Sequence, residues 1–331
     1  MKEGGQPLAG RLTQTTMEVP MALADAPSTA RSVVRTPYFR SLKWQEAKWG
    51  YIFISPNLLL FLMFTLFPVF ASFYYSLNDW NIHMPMQFVG LQNYTKLLAD
   101  PVFKQVLVNT LYYTFGILPL QTALALLIAL ALNQKIRLKT MYRSMYFVPV
   151  VTSMVAVSMV WQWMYEPTYG IINSGLKIFG IKGPNWLFSY EWAMPSVIIM
   201  SIWKGVGYSV VLYLAALQGV PESLYESAMI DGAGAWQRFR HITVPMISPT
   251  TFFIIILTII GSFQAFDAVY TLTQGGPGRA TSVIVHYLYQ NGFQYFAMGY
   301  AAAIAYVLFA LLLVATLLQW YYRKRWVFGE E

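Results

Sequence analysis

Few residues in this 331-residue chain could do chemistry. Cysteine is absent, which removes disulfides, thiolate metal sites and cysteine nucleophiles together. His83, His241 and His286 lie far apart, at no metal-ligand spacing. No segment pairs carboxylates or sets a nucleophile beside a histidine. The phosphate-cradling pattern of a glycine-rich loop ending in Gly-Lys-Ser/Thr is missing, so the chain is expected to bind no ATP itself. The run Gly275, Gly276, Pro277 and Gly278 reads as a turn rather than a nucleotide fingerprint. Asn93, Tyr94 and Thr95 fit the glycosylation acceptor pattern, which is common by chance.

What remains is suited to binding and movement rather than catalysis. Lys204 is the one charge deep inside an apolar stretch. An ammonium in hydrocarbon is costly, so it must pair, line a wet cavity or meet a ligand. Tyr208 and Ser209 follow it on the same segment and could line a polar path with it. Equally, Lys204 could reach carbonyls at a helix break near Gly205. Gln264 and Asp267 could hydrogen-bond the hydroxyls of a bound solute, or could serve a hydrated loop edge or helix cap. Trp161 and Trp163 could stack on the flat face of such a solute, or act as interfacial anchors.

The elements that must position these residues follow from composition. Apolar residues make up 57% of the chain and charged residues 11%. Soluble domains average about 45–50% and about 25%. Mean hydropathy is +0.47. These values exclude a disordered chain, a nucleic-acid-binding domain and an ordinary cytosolic enzyme; they indicate an integral membrane protein in contact with lipid. Six stretches reach the roughly 20 residues that a spanning helix needs: 51–77, 107–132, 144–165, 192–217, 246–266 and 299–322. The class expected is an all-α membrane protein with six transmembrane helices. Strand alternation of the β-barrel kind is absent.

Residues 1–40 carry no apolar periodicity and read as a disordered cytoplasmic tail without a cleavable signal. Residues 41–50 read as a short interfacial helix. The six-helix region is 51–325, and 326–331 is a second cytoplasmic tail. Of the 22 Lys and Arg, sixteen fall in the N-terminal tail, the 2–3 connection, the 4–5 connection and the C-terminal tail. Only Lys96, Lys104, Lys177, Lys182 and Arg279 lie on the opposite side. The positive-inside rule therefore puts both termini in the cytoplasm, which accounts for most of the net charge of +8 as a topology signal.

The connection 218–249 is long for a cytoplasmic loop and unlike a linker. Pro221 suits a first helical position, and Glu222 then faces the positive end of the helix dipole. Leu224, Tyr225, Ala228 and Met229 keep helical spacing. Gly232 stands where the chain must stop and reverse, through a positive φ that glycine adopts without a Cβ clash. Trp236, Phe239, His241 and Ile242 begin a second amphipathic segment, closed by Pro245 and Pro249.

This loop resembles the EAA motif of permease subunits of binding-protein-dependent ABC importers. The pattern Glu-Ala-Ala, three residues, Gly, nine residues, Ile, one residue, Leu-Pro is met by Glu226, Ser227, Ala228, Gly232, Ile242, Val244 and Pro245, with every spacing kept. Ser227 and Val244 are conservative departures. Asp231, Ala233 and Phe239 resemble the carbohydrate-uptake branch, the maltose and glycerol-3-phosphate type. So do the stretches Phe88 to Tyr94 and Leu272 to Pro277, and the pair Phe266 and Asp267. The resemblance covers residues 45–325.

The resemblance implies the type I permease fold of ABC importers in a bacterial-type inner membrane. It implies three kinds of partner besides lipid: a second homologous permease, two cytoplasmic ATP-binding subunits and an extracytoplasmic solute-binding protein. ATP and Mg would be used by the ATPase partner, and this chain would hold no cofactor or metal. Glu226, Ser227, Ala228, Asp231, Gly232, Ala233, Ile242 and Pro245 would form the ATPase-coupling site. The solute would be a sugar, oligosaccharide, polyol or glycerol-3-phosphate, moved by alternating access. The competing class is an ion-coupled secondary transporter. That class normally needs acids or histidines inside the spans, and the six stretches hold no Asp or Glu.

Overall fold

The computed structural model describes residues 42–134, 137, 139–324 and 327. The tails expected at 1–40 and 326–331 lie outside the described residues, Val327 apart. The described chain is helical apart from turns and one two-stranded ribbon. The segment up to Leu62 is a unit by itself. In it α1 (Leu42–Phe61) runs unbroken through Gly50 and exposes Tyr51, Phe53 and Leu59, side chains suited to lipid.

In the second unit, α2 (Phe67–Ser76) is followed by a ribbon of β1 (Asn78–Asp79) and β2 (Gln87–Phe88), with Asn78 opposite Phe88. Then come α3 (Gln92–Ala99) and α4 (Pro101–Asn133). Asp100 caps α4 by accepting the Val102 N–H at 2.8 Å, and Pro101 supplies the first turn. Along α4, Val108, Tyr112, Phe115, Leu120, Leu124 and Leu127 are exposed at helical spacing, while Phe103, Val106, Tyr113, Ala125 and Ala129 are buried. One face therefore meets lipid and the other the bundle.

Next are α5 (Lys139–Val151) and α6 (Met154–Met164), which are bent by 102° at Thr152 and Ser153. The outer connection holds α7 (Ile171–Ile178). Helix α8 (Ala193–Gln218) is the most enclosed of the long helices and packs along α4. Gly207 makes one crossing possible: a Cβ there would lie 2.1 Å from the Tyr146 carbonyl oxygen of α5.

The polar connection forms α9 (Glu222–Ile230), α10 (Ala235–Arg238), a π-turn over Phe239–Thr243 and α11 (Val244–Met246). A 62° bend at Ile247 leads into α12 (Ser248–Phe263). Beyond it lie α13 (Asp267–Leu272), α14 (Ile284–Tyr289) and α15 (Met298–Arg323). Among the described residues, four helices are long and apolar enough to cross a membrane, or up to six if each bent pair is one span.

Three buried clusters hold the second unit together. One joins Tyr113 and Ile117 of α4 to Trp161, Val197 and Val269. A second joins Ala125 and Ala129 to Val210, Tyr213 and Ile254. The third joins Leu97, Phe103 and Val106 to Ile284, Tyr287 and Ile304. Asn93 is buried in the fold: its amide donates to the carbonyls of Ser76 and Asn78, both at 2.9 Å. The acceptor pattern at Asn93 is therefore a structural asparagine with no room for a glycan.

Candidate functional site: a polar cavity and an exposed helical elbow

The coupling residues read from the sequence form an exposed elbow. Pro221 is the cap of α9 rather than its first residue, with φ −58° and ψ 128°. Helix α9 ends in a left-handed turn. Gly232 has φ +80°; its N–H donates to the Met229 carbonyl at 3.1 Å, and the Ala233 N–H donates to Ala228 at 2.8 Å. This pairs carbonyls that a helix end leaves open. The next helix starts at Gly234, whose N–H donates to Gln237 Oε1 at 2.7 Å. Tyr225 and Thr243 share a hydroxyl hydrogen bond of 2.9 Å, tying α9 to the π-turn. Glu226, Ser227 and Asp231 are exposed, and Ala228, Ala233, Ile242 and Pro245 are half-buried. Ile230 is 87% exposed and Trp236 69%, an apolar surface on an element outside the long spans.

The second set of residues meets in a cavity of about 430 Å³ between α4, α5, α8 and α12. That is within the range of about 300–1,000 Å³ usual for small-molecule sites. Lys204, Tyr208 and Ser209 line it from α8, and Gln264 and Asp267 from the end of α12 and the start of α13. Five of the six expected path residues are thus brought together. Trp161 is not in the lining. It is buried in the α4–α6–α8 cluster, with its ring 5.2 Å from Tyr165 and 5.6 Å from Trp203.

The cavity wall is apolar through Ile117, Met154, Leu212 and Leu257, and its polar groups converge from several helices. Tyr113 donates to Ser201 Oγ at 2.9 Å. Gln121 Nε2 donates to Ser209 Oγ at 3.3 Å. Lys204 Nζ donates to the Val150 carbonyl at 3.3 Å, just before the α5–α6 break. Tyr113, Gln121 and Ser201, and Thr258 of α12, which also lines the cavity, were not singled out from the sequence. The signal for Gln121 was present: it is an amide inside a charge-free span, where polar groups need partners. Such a wall can hold a polar, uncharged or weakly charged solute by hydrogen bonds. It sets up no nucleophile–base pair, and no cluster among the described residues could hold a metal ion.

A further polar clasp ties the starts of α4 and α15 to α14. Asp100 Oδ2 accepts the hydroxyls of Tyr287 at 2.5 Å and Tyr300 at 2.9 Å. Burial pushes the Asp100 carboxyl up, but these bonds and the N–H groups of Val102 and Phe103 outweigh it and hold it below its ordinary value. On the same side His286 is buried and bonded to Ser282 Oγ at 3.0 Å. Burial, with the nearby Arg279, lowers its pKa.

Known proteins resemble the chain over most of its length. A family profile described as "Binding-protein-dependent transport system inner membrane component" matches residues 121–327. The probable ABC transporter permease YurN of Bacillus subtilis is 38% identical over 274 residues, 81% of this chain and 94% of that protein. The lactose transport system permease LacF of Rhizobium radiobacter is 37% identical, covering 82% and 93%. The trehalose/maltose transport system permease MalF of Thermococcus litoralis is 36% identical, covering 83% and 94%. In fold, a chain of the bacterial alginate ABC transporter, solved with an alginate pentasaccharide-bound periplasmic protein, matches with a TM-score of 0.76 at 24% identity, covering 86% and 96%. With a profile match over more than half its length and relatives above 30% identity over about four fifths of it, the chain belongs to the binding-protein-dependent transport system inner membrane components, the permease subunits of ABC transporters.

Proposed function

We propose that the chain is the permease subunit of an ATP-driven importer that moves a sugar or sugar-like solute across a bacterial-type inner membrane. The solute is delivered by an extracytoplasmic binding protein and passes through the cavity at Lys204, Tyr208, Ser209, Gln264 and Asp267. The chain crosses the membrane six times, with α5 and α6 together forming one span and the stretch 246–266 another, and with both termini in the cytoplasm. The asymmetry of Lys and Arg supports that topology. Relatives named for lactose, arabinooligosaccharides and trehalose/maltose support a carbohydrate solute.

The elbow at Gly232 is the coupling element. Glu226, Ser227, Ala228, Asp231, Gly232, Ala233, Ile242 and Pro245 present it to one of two cytoplasmic ATP-binding subunits, and a second homologous permease completes the pore. ATP and Mg act on the ATPase partners. Closure of those subunits moves the elbow as a rigid lever, and the spans switch the cavity from outward to inward access. The observation that carries this reading is the elbow itself: a hydrogen-bonded turn that holds apolar Ile230 and Trp236 out in solvent. Such a surface is expected to be covered by a partner. The test is co-purification of the ATPase with Glu226→Lys and Gly232→Pro, membrane insertion being checked separately. Both variants are expected to insert normally, to lose the ATPase and to stop uptake. Normal ATPase association in both would sink the coupling role.

A further inference from the structure

The connection between α6 and α8 carries an apolar tip with no cover in the fold. Helix α7 packs inward through Ile172 and Leu176, against the cluster containing Trp161 and Tyr165. It ends in a closed turn: the N–H groups of Phe179 and Ile181 both donate to the Leu176 carbonyl at 3.0 Å, and Gly180 has φ +72°. The turn throws the next side chains outward. Ile178 is 82% exposed, Phe179 80% and Ile181 55%. Lys177 and Lys182, also exposed, bracket them.

This tip is held rigidly. Asn173 Nδ2 donates to the carbonyls of Pro167 and Pro184 at 3.1 and 3.2 Å, while its Oδ1 accepts the Trp186 indole N–H at 2.7 Å. The Glu166 carboxylate accepts the N–H groups of Thr168 and Tyr169, which fixes the entry to the loop. Holding three large apolar side chains in water on a braced turn costs free energy that a flexible loop could avoid by folding them in.

We propose that residues 177–182 are a membrane anchor. Ile178, Phe179 and Ile181 enter the headgroup–acyl boundary of the leaflet beside the outer ends of α6 and α8, and Lys177 and Lys182 rest on lipid phosphates. Two observations favour lipid over a protein partner at this tip. Its charge is of one sign: between Glu166 and Glu191 there is no acid, only the two lysines. It also lies between Trp163 and Trp192, exposed indoles at the ends of apolar helices, where interfacial anchors gather. Lysines with apolar stems beside buried aliphatic groups are the usual chemistry of such contacts.

The chain has no cysteine, so any introduced thiol is unique. Phe179→Cys, Ser174→Cys and Leu127→Cys are spin-labelled in the full chain in phosphatidylethanolamine–phosphatidylglycerol vesicles. Collision rates with oxygen, which partitions into lipid, and with a water-soluble nickel chelate are read at each. The oxygen-to-nickel ratio at 179 is expected to rise severalfold over that at exposed Ser174 and to approach that of Leu127 on the lipid face of α4. With Lys177→Glu and Lys182→Glu added, the ratio at 179 should fall. A label at 179 as open to nickel as the one at 174 overturns the anchor. So does a label shielded only after a binding protein is added, which would make the tip a protein-docking surface. Reaction of Ser174→Cys with an impermeant maleimide reports the side of the membrane separately. A lipid-inserted tip on the opposite side would support the anchor while overturning the six-span topology.

Discussion

Gly232→Ala isolates what the elbow turn contributes. Gly232 has φ +80°, and a Cβ built there meets nothing within 4 Å. The substitution therefore adds no clash with a neighbour, and its whole cost is the left-handed backbone. For an L-residue that cost is roughly 1–2 kcal/mol. A penalty of that size changes a two-state population by about 5–30-fold. Since the turn is exposed and outside the three buried clusters, the penalty falls on the elbow conformation rather than on the packed spans. Measured by titrating the purified ATPase partner against permease in detergent, apparent affinity is expected to drop about 5–30-fold for Gly232→Ala. Gly232→Asn should fall between, because asparagine visits the left-handed region more readily. Thermal unfolding of the permease should be almost unmoved in both. Wild-type affinity in the alanine variant, or an equal loss in alanine and asparagine, would refute the reasoning, since neither fits a cost set by φ alone.

Other consequences are as direct. Gly207→Leu puts a side chain against the Tyr146 carbonyl, 2.1 Å from where its Cβ must stand; overpacking of this kind costs about 1–3 kcal/mol, read as a lowered Tm in detergent. Lys204→Met leaves the Val150 carbonyl without its donor, at a cost of about 1–3 kcal/mol; Lys204→Arg should recover part of the Tm, while a Met variant as stable as wild type would remove the bond from consideration. Asp100 has a pKa lowered in the fold from an ordinary 3.8. Its stabilising contribution is complete above that ordinary value and is lost as pH falls through the lowered one. Tm should therefore decline below about pH 4, and Asp100→Asn should flatten that part of the curve.

Much of the helix content was legible because hydrophobicity along a chain reports length well. The stretches 192–217 and 299–322 correspond to helices Ala193–Gln218 and Met298–Arg323, within a residue or two at each end. Direction was not legible. The stretch 144–165 reads as one span, yet the chain turns by 102° inside it. Hydropathy is blind to such a bend, because Thr152 and Ser153 hardly alter the average. Pro149 was the local sign: it lies inside α5, two residues before its end, and proline disfavours an unbroken helix. At Trp161, residue type could not separate roles. An indole near a span end serves a lipid interface, a solute or a core equally well, and only packing places this one against Tyr165 and Trp203. The Gly232 turn was legible for the opposite reason: a left-handed end to a helix has one preferred residue.

Lys204 shows how two readings of one residue can both describe the same geometry. From the sequence it is either a cation on a solute path or a donor to carbonyls at a helix break. In the structure the break lies on the neighbouring helix, not on its own. The end of α5 leaves carbonyls without helical partners; Val148 takes the Thr152 hydroxyl at 2.8 Å, and Val150 takes the Lys204 ammonium at 3.3 Å. A carbonyl at a helix end carries part of the negative pole of the dipole, so a cation is the donor that suits it best. An ammonium has three N–H groups, and Val150 occupies one. The same side chain lines the cavity with Tyr208 and Ser209. The bond that relieves the broken helix therefore also holds the charge at the cavity wall, and it joins α5 to α8 at the level of the bend. Any rearrangement that changes the angle between α5 and α6 must move the Val150 carbonyl, and with it the charge that Lys204 holds at the cavity wall.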